Sequence, residues 1–246
     1  MVVPDVLRVD LETDADGCTL VRPTGELTTI TYAQLRDVLL KCATEVPAAV
    51  IVDVDTLAVP TPQALTVFRT ALRRTADWPG VPIVVVAGRP LKRALLAKGW
   101  VDRFVPVHPD VKSAKRSLAR PAPRRRVTLP LPWGGTSPRR AGRFVTRTCA
   151  RWGIGHQEGA DAAAVAAELV ENTVVHTHAA PILRVELRHD MLTVAVFDAE
   201  PMPTALSERA MADGLSSVAY FAKAWGCTPT IDGGKVVWAV LRSCRT

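Results

Sequence analysis

Proline and arginine break this chain in two. Between residues 118 and 132 stand Pro121, Pro123, Pro130 and Pro132, with Arg124, Arg125 and Arg126 among them. Proline removes backbone donors and like charges repel, so no helix or central strand is expected to run unbroken through such a stretch. The chain then has to fold as two bodies, each with its own core, and 246 residues suffice for two of ordinary size. The reading places a first domain at residues 1–118, a basic linker at 119–128 and a second domain at 129–246. Residues 127–131 already read as a first strand of that second domain.

Charge is as unevenly spread as proline. Twelve Lys or Arg and no Asp or Glu lie between Val111 and Gln157, although the whole chain carries a net +7. Such a segment attracts nucleic acid or an acidic protein face, or is simply a solvated linker and helix surface. Aromatic residues do not interleave the basic run from Lys112 to Arg126, so sequence-specific nucleic-acid binding is not expected. The five cysteines are odd in number and scattered, without a C-x-x-C, and read as free thiols in a reducing compartment. With 48% hydrophobic residues but no run of 18 apolar ones, and no signal-peptide pattern at residues 1–5, a cytoplasmic chain with sizeable cores and no membrane span is expected.

The first half alternates strand and helix signals. Residues 6–11 and 18–21 read as strands, the second ending at Pro23 and Gly25. Thr31 is a helix cap before an amphipathic run to about residue 46. Residues 48–54 and 82–87 are continuous apolar strands, as in the middle of a sheet covered on both faces. Thr61-Pro62 reads as a cap followed by proline at the first helical position, opening a helix to about residue 75. A helix over 91–98, a strand over 104–107 and a helix over 111–118 follow, giving an α/β sheet domain. Gly25-Glu26-Leu27, Val50-Ile51-Val52-Asp53 and Leu91, Leu95, Gly99 and Phe104, in that order, resemble the STAS domain of anti-sigma factor antagonists. Phosphorylatable members of that family read like D-S-S-G-L after the central strand. Here the serine places hold Pro62 and Gln63, and Thr61 reads as a helix cap instead of a phosphate acceptor.

The second half turns on one helix, expected over residues 160–178. Glu168, Asn172 and His176 recur every four residues and share a face, while Val165, Leu169 and Thr173 form the adjoining buried stripe. A carboxylate can take a proton and an amide oxygen can ligate Mg²⁺; the same row could also be a solvated helix edge. Before this helix, Ser137-Pro138 reads as a cap and a first helical proline for a helix to Trp152 that carries five arginines. After it come two strands, 182–187 and 192–197, around His189-Asp190. Then follow Asp198-Ala199-Glu200-Pro201-Met202-Pro203, Gly214-Leu215, Trp225-Gly226 and Gly233-Gly234-Lys235-Val236-Val237-Trp238. A helix is expected from Gly214 to about Trp225, strands at 230–231 and 235–241, and Trp238 in the core.

This ordered set resembles the GHKL (Bergerat-fold) ATPases, in the form of bacterial anti-sigma factor serine/threonine kinases, across about residues 129–241. The resemblance implies a Bergerat α/β sandwich that binds ATP with Mg²⁺. Glu168 would be the catalytic base and Asn172 the Mg²⁺ ligand. Asp198 would accept from the adenine amino group. His176, Gly214, Leu215 and Gly234 would line the nucleotide, and residues 205–213 would form a lid. Ala212 replaces the first glycine of the family's G-x-G-L.

The expected function is bacterial partner switching. The chain would bind Mg·ATP and act as a serine/threonine kinase on a STAS protein in trans, or serve as a non-catalytic switch. Its partners would be a sigma factor or a STAS-type antagonist, with a homodimer left open.

Overall fold

The computed structural model describes residues 7–118, 124–200 and 216–243. The chain divides into two compact units, Met1–Pro121 and Ala122–Thr246.

The first unit runs β1 (Arg8–Thr13), β2 (Thr19–Glu26), α1 (Thr31–Thr44), β3 (Val50–Asp53), β4 (Leu57–Ala58), α2 (Thr66–Thr75), β5 (Ile83–Val86), α3 (Pro90–Lys98), β6 (Val107–His108) and α4 (Val111–Ser117). The sheet order is β1-β2-β3-β5-β6, with β4 beside β2. β1 is antiparallel to β2, and β2, β3, β5 and β6 pair in parallel. Parallel neighbours need crossover connections, which α1, α2 and α3 supply. β3 shows why its apolar run is unbroken. Val50 and Val52 join a core with Leu35, Leu39 and Phe68, while Ile51 points to a smaller core with Ala114 on the other face.

The second unit runs β7 (Arg124–Pro130), α5 (Ser137–Trp152), α6 (His156–His176), β8 (Ile182–Arg188), β9 (Met191–Asp198), α7 (Ser216–Phe221), β10 (Ala224–Pro229) and β11 (Lys235–Arg242). Its five strands are all antiparallel in the order β10-β11-β9-β8-β7. Leu183, Val185, Leu192, Val194, Val196, Val237 and Ala239 meet Val145 of α5 and Val165, Leu169 and Val170 of α6 in one core. Helices on one face and a sheet beneath make a two-layer α/β sandwich.

Several sequence expectations are corrected. β2 does not stop at Pro23 but continues to Glu26. Its pairing with β3 ends at Val21 and resumes with β4 only at Gly25, so the missing Pro23 N–H interrupts no ladder. Thr31 is not the cap of α1. Its own N–H and that of Ile30 point to the Thr28 hydroxyl, and the Thr31 hydroxyl donates to the Glu26 carbonyl. Thr61 precedes a 3₁₀ turn, Pro62–Leu65, and makes no side-chain capping hydrogen bond.

Phe104 lies outside any strand, after a 3₁₀ turn over Val101–Arg103. The arginines 124–126 belong to edge strand β7 and not to a linker, because pairing with β8 begins at Arg124. Trp225 sits in β10 and not in a helix, while residues 230–231 form the turn before β11. Trp238 is buried, but on the sheet face away from the helices. Its ring lies so close over Gly226 that a Cβ there would fall 2.9 Å from it.

Candidate functional site

α6 is Ala-rich and carries no proline, which favours an uninterrupted helix of 21 residues. Val165 and Leu169 are fully buried and Thr173 nearly so, which turns the neighbouring row outward. Glu168, Asn172 and His176 line one groove of 510 Å³ together with Ala164, Ala167, Glu171, Val175 and Ser217. Helical spacing therefore did bring the carboxylate, amide and imidazole together.

Glu168 is already engaged. Its two carboxylate oxygens accept the N–H groups of Ser217 and Val218, at 3.3 and 3.2 Å. These are first-turn donors of α7, left without partners inside that helix. The carboxylate thereby satisfies both amides.

Asp198 ends β9 on the helix-covered face, in register with Lys235 of β11. Its side chain is 1% exposed and takes the Lys235 ammonium at 2.6 Å. The other oxygen accepts the Glu200 N–H at 2.9 Å. Glu200 in turn accepts the His178 N–H at 2.6 Å and so ties the end of β9 to the segment leaving α6. Trp133 donates its indole N–H to the Thr177 carbonyl at the same place. Gly234 is fixed by crowding, since a Cβ there would lie 2.1 Å from the Asp198 carbonyl oxygen. It permits the backbone of β11 to approach that of β9.

Asp198, Gly234 and Lys235 thus form one cluster, and Glu168, Asn172 and His176 line the groove. Gly214 and Leu215, with Ala212 and residues 205–213, lie outside the described residues. Sequence reasoning gave no role to Lys235 or to the Ser217 and Val218 amides. The Lys235–Asp198 register arises between strands far apart in sequence, so no local pattern announces it.

The donors fit a magnesium–nucleotide in kind. Asn172 offers a half-exposed amide, and each Asp198 oxygen has a second lone pair beyond the one its partner uses. Among the described residues no three His, Cys, Asp or Glu side chains gather as a metal site. A cation there would rest on Asn172 and on oxygens brought by its ligand. No described helix is long and apolar enough to cross a membrane.

No protein-family model and no curated protein matches the chain. Solved structures resemble part of it. An anti-sigma factor antagonist from Mycobacterium paratuberculosis is 20% identical, over 48% of this chain and 98% of that one, with a TM-score of 0.41. The RsbU and RsbW domains of a Mycobacterium tuberculosis protein are 20% identical over 50% of this chain and 33% of that one, at 0.38. An anti-sigma-factor antagonist (STAS) domain protein from Planctomyces limnophilus is 13% identical over 45% and 97%, at 0.36.

Proposed function

We propose that the chain is a cytoplasmic partner-switching regulator of the anti-sigma factor and antagonist type. In this reading its first unit is a STAS-like docking module and its second a GHKL-type module that holds Mg·ATP. The observation that carries it is the groove in which α6 presents Glu168, Asn172 and His176, beside a sheet that ends in the buried carboxylate of Asp198. The Asn172 amide oxygen would ligate Mg²⁺, which supplies charge neutralisation at phosphate. Asp198 would accept from an exocyclic amine, while His176 and Gly234 border the bound ligand. Glu168 would take the proton of a partner's serine or threonine hydroxyl. Positioning and charge neutralisation are most of what phosphoryl transfer asks of a protein. A sigma factor or a STAS-type antagonist is the fitting partner.

A specific observation favours a second reading, a switch that binds partners without chemistry. Glu168 is held by two backbone amides and has to leave them before it can take a proton. Titration of the full chain with Mg·ATP and Mg·ADP, followed by calorimetry, tests the nucleotide. Absence of saturable binding at about millimolar nucleotide, a free energy near −4 kcal/mol, removes the ATP reading. Binding without phosphate transfer to a STAS partner leaves the non-catalytic switch.

A further inference from the structure

β7 is an edge of its sheet. It pairs with β8, and no strand among the described residues pairs with its other side. Such an edge presents backbone donors and acceptors to any extended chain of suitable chemistry. Val127 and Leu129 turn toward the helix layer, and by the two-residue period Arg125 shares that side. Opposite them runs α5, which exposes Arg139, Arg140, Arg143, Arg147 and Arg151. None of these five forms an ion pair among the described residues.

Between strand and helix lies a cleft of 280 Å³ lined by Leu129, Phe144, Arg140, Arg143 and Arg147. Arg143 also borders a hollow of 460 Å³ with Thr136 and Arg139. The floor is apolar and the rim is arginine. No carboxylate lies in the sequence from Val111 to Gln157 to balance it. Glu186, the acid nearest in register, sits on the opposite sheet face and is bound by Arg124 and Arg126.

We propose that this cleft binds an extended acidic segment of a partner protein, added as a strand to the edge of β7. Alternate side chains of an added strand point to opposite faces, so apolar ones reach Leu129 and Phe144 while carboxylates meet the arginine rim. Guanidinium forks suit carboxylates geometrically. A second copy of this chain is disfavoured, because its β7 would bring three more arginines and no carboxylate to the arginine rim. Nucleic acid is disfavoured because the cleft is lined by a single aromatic residue, Phe144, which is half-buried, so no row of rings is available for successive bases. The inference does not depend on nucleotide binding.

The test uses the full chain and a fluorescent peptide of about eight residues alternating Glu and Val, near the usual length of a strand. Anisotropy should show saturable binding, weakened about tenfold or more by Arg143→Glu with Arg147→Glu. Both arginines are exposed, and circular dichroism checks that the variant remains folded. Amide exchange in β7 should slow when the peptide is bound. Equal binding of a peptide with proline at alternate positions would overturn the edge-strand geometry. Tighter binding of a single-stranded oligonucleotide at physiological salt, lost in the same variant, would make this a nucleic-acid face instead. Absence of saturable binding by the acidic peptide at about millimolar concentration would end the proposal.

Discussion

At the scale of single residues, the buried pair at the end of β9 decides most. Lys235 is 11% exposed and Asp198 1%. Replacing Lys235 with Met should strand the carboxylate and destabilise the second unit by about 3–5 kcal/mol, and adding Asp198→Asn should recover much of it. Denaturant unfolding of both variants measures this. A Lys235→Met chain as stable as wild type would show that the pair contributes little. The same pairing qualifies any binding test at Asp198. Asp198→Asn should weaken ATP by about 1–3 kcal/mol, the scale of a lost hydrogen bond to a charged group, provided that the variant stays folded at the assay temperature. Gly234→Ala should destabilise by about 1–3 kcal/mol, because the carbonyl that its Cβ meets is backbone and cannot rotate away. Gly135→Ala, with open space around it, serves as the control.

Among the elements, α4 shows how local and distant contacts combine. Asp110 accepts the Ser113 N–H and the Ser113 hydroxyl meets the Asp110 N–H, a reciprocal cap readable as D-x-x-S. The helix is also tied to the β1–β2 hairpin through Lys115, which meets Asp14 at 2.7 Å and Asp16 at 2.6 Å. The Lys115 hydrogen bond holds the Asp14 carboxyl below its ordinary value, and the Ser113 amide does the same for Asp110. A carboxyl depressed on folding stabilises above its unfolded value, and that contribution is lost as pH falls through the folded one. Amide exchange in α4 should therefore rise selectively as pH drops below about 4, the ordinary carboxylate range. Uniform loss of protection across the first unit would contradict it. Thiols behave as their elements dictate. Burial pushes Cys42 in α1, Cys149 in α5 and Cys227 in β10 up to about 11. Alkylation of the enclosed Cys42 and Cys149 at neutral pH should require unfolding, while the partly exposed Cys227 should react slowly in the folded chain.

For the whole molecule, each unit has a core of its own, and residues 1–118 and 124–246 should each fold cooperatively when expressed alone. Circular dichroism and thermal unfolding of the two fragments check this. The exposed Thr61 stands before a 3₁₀ turn where Pro62 and Gln63 offer no hydroxyl. Incubation with Mg·ATP should leave Thr61 and Thr56 unmodified by mass spectrometry. Stoichiometric phosphate there, abolished by Glu168→Ala, would show that the chain acts on itself. Much of this organisation was legible in the sequence. Apolar runs marked β3 and β5, the four-residue spacing set Glu168, Asn172 and His176 on one groove, and Asp198 was recognisable as the end of a strand. These are local patterns, and hydrophobic period and proline position impose them wherever the chain lies. Other features required the tertiary structure. Pro23 is tolerated inside β2 because its neighbour changes from β3 to β4, and arginines 124–126 become a strand only when β8 pairs with them. Lys235 reaches Asp198, and the amides of Ser217 and Val218 reach Glu168, through contacts between segments 37 to 50 residues apart. Register between distant strands and the docking of one helix end on another are set by packing and hydrogen-bond satisfaction across the fold, which no short window of sequence contains.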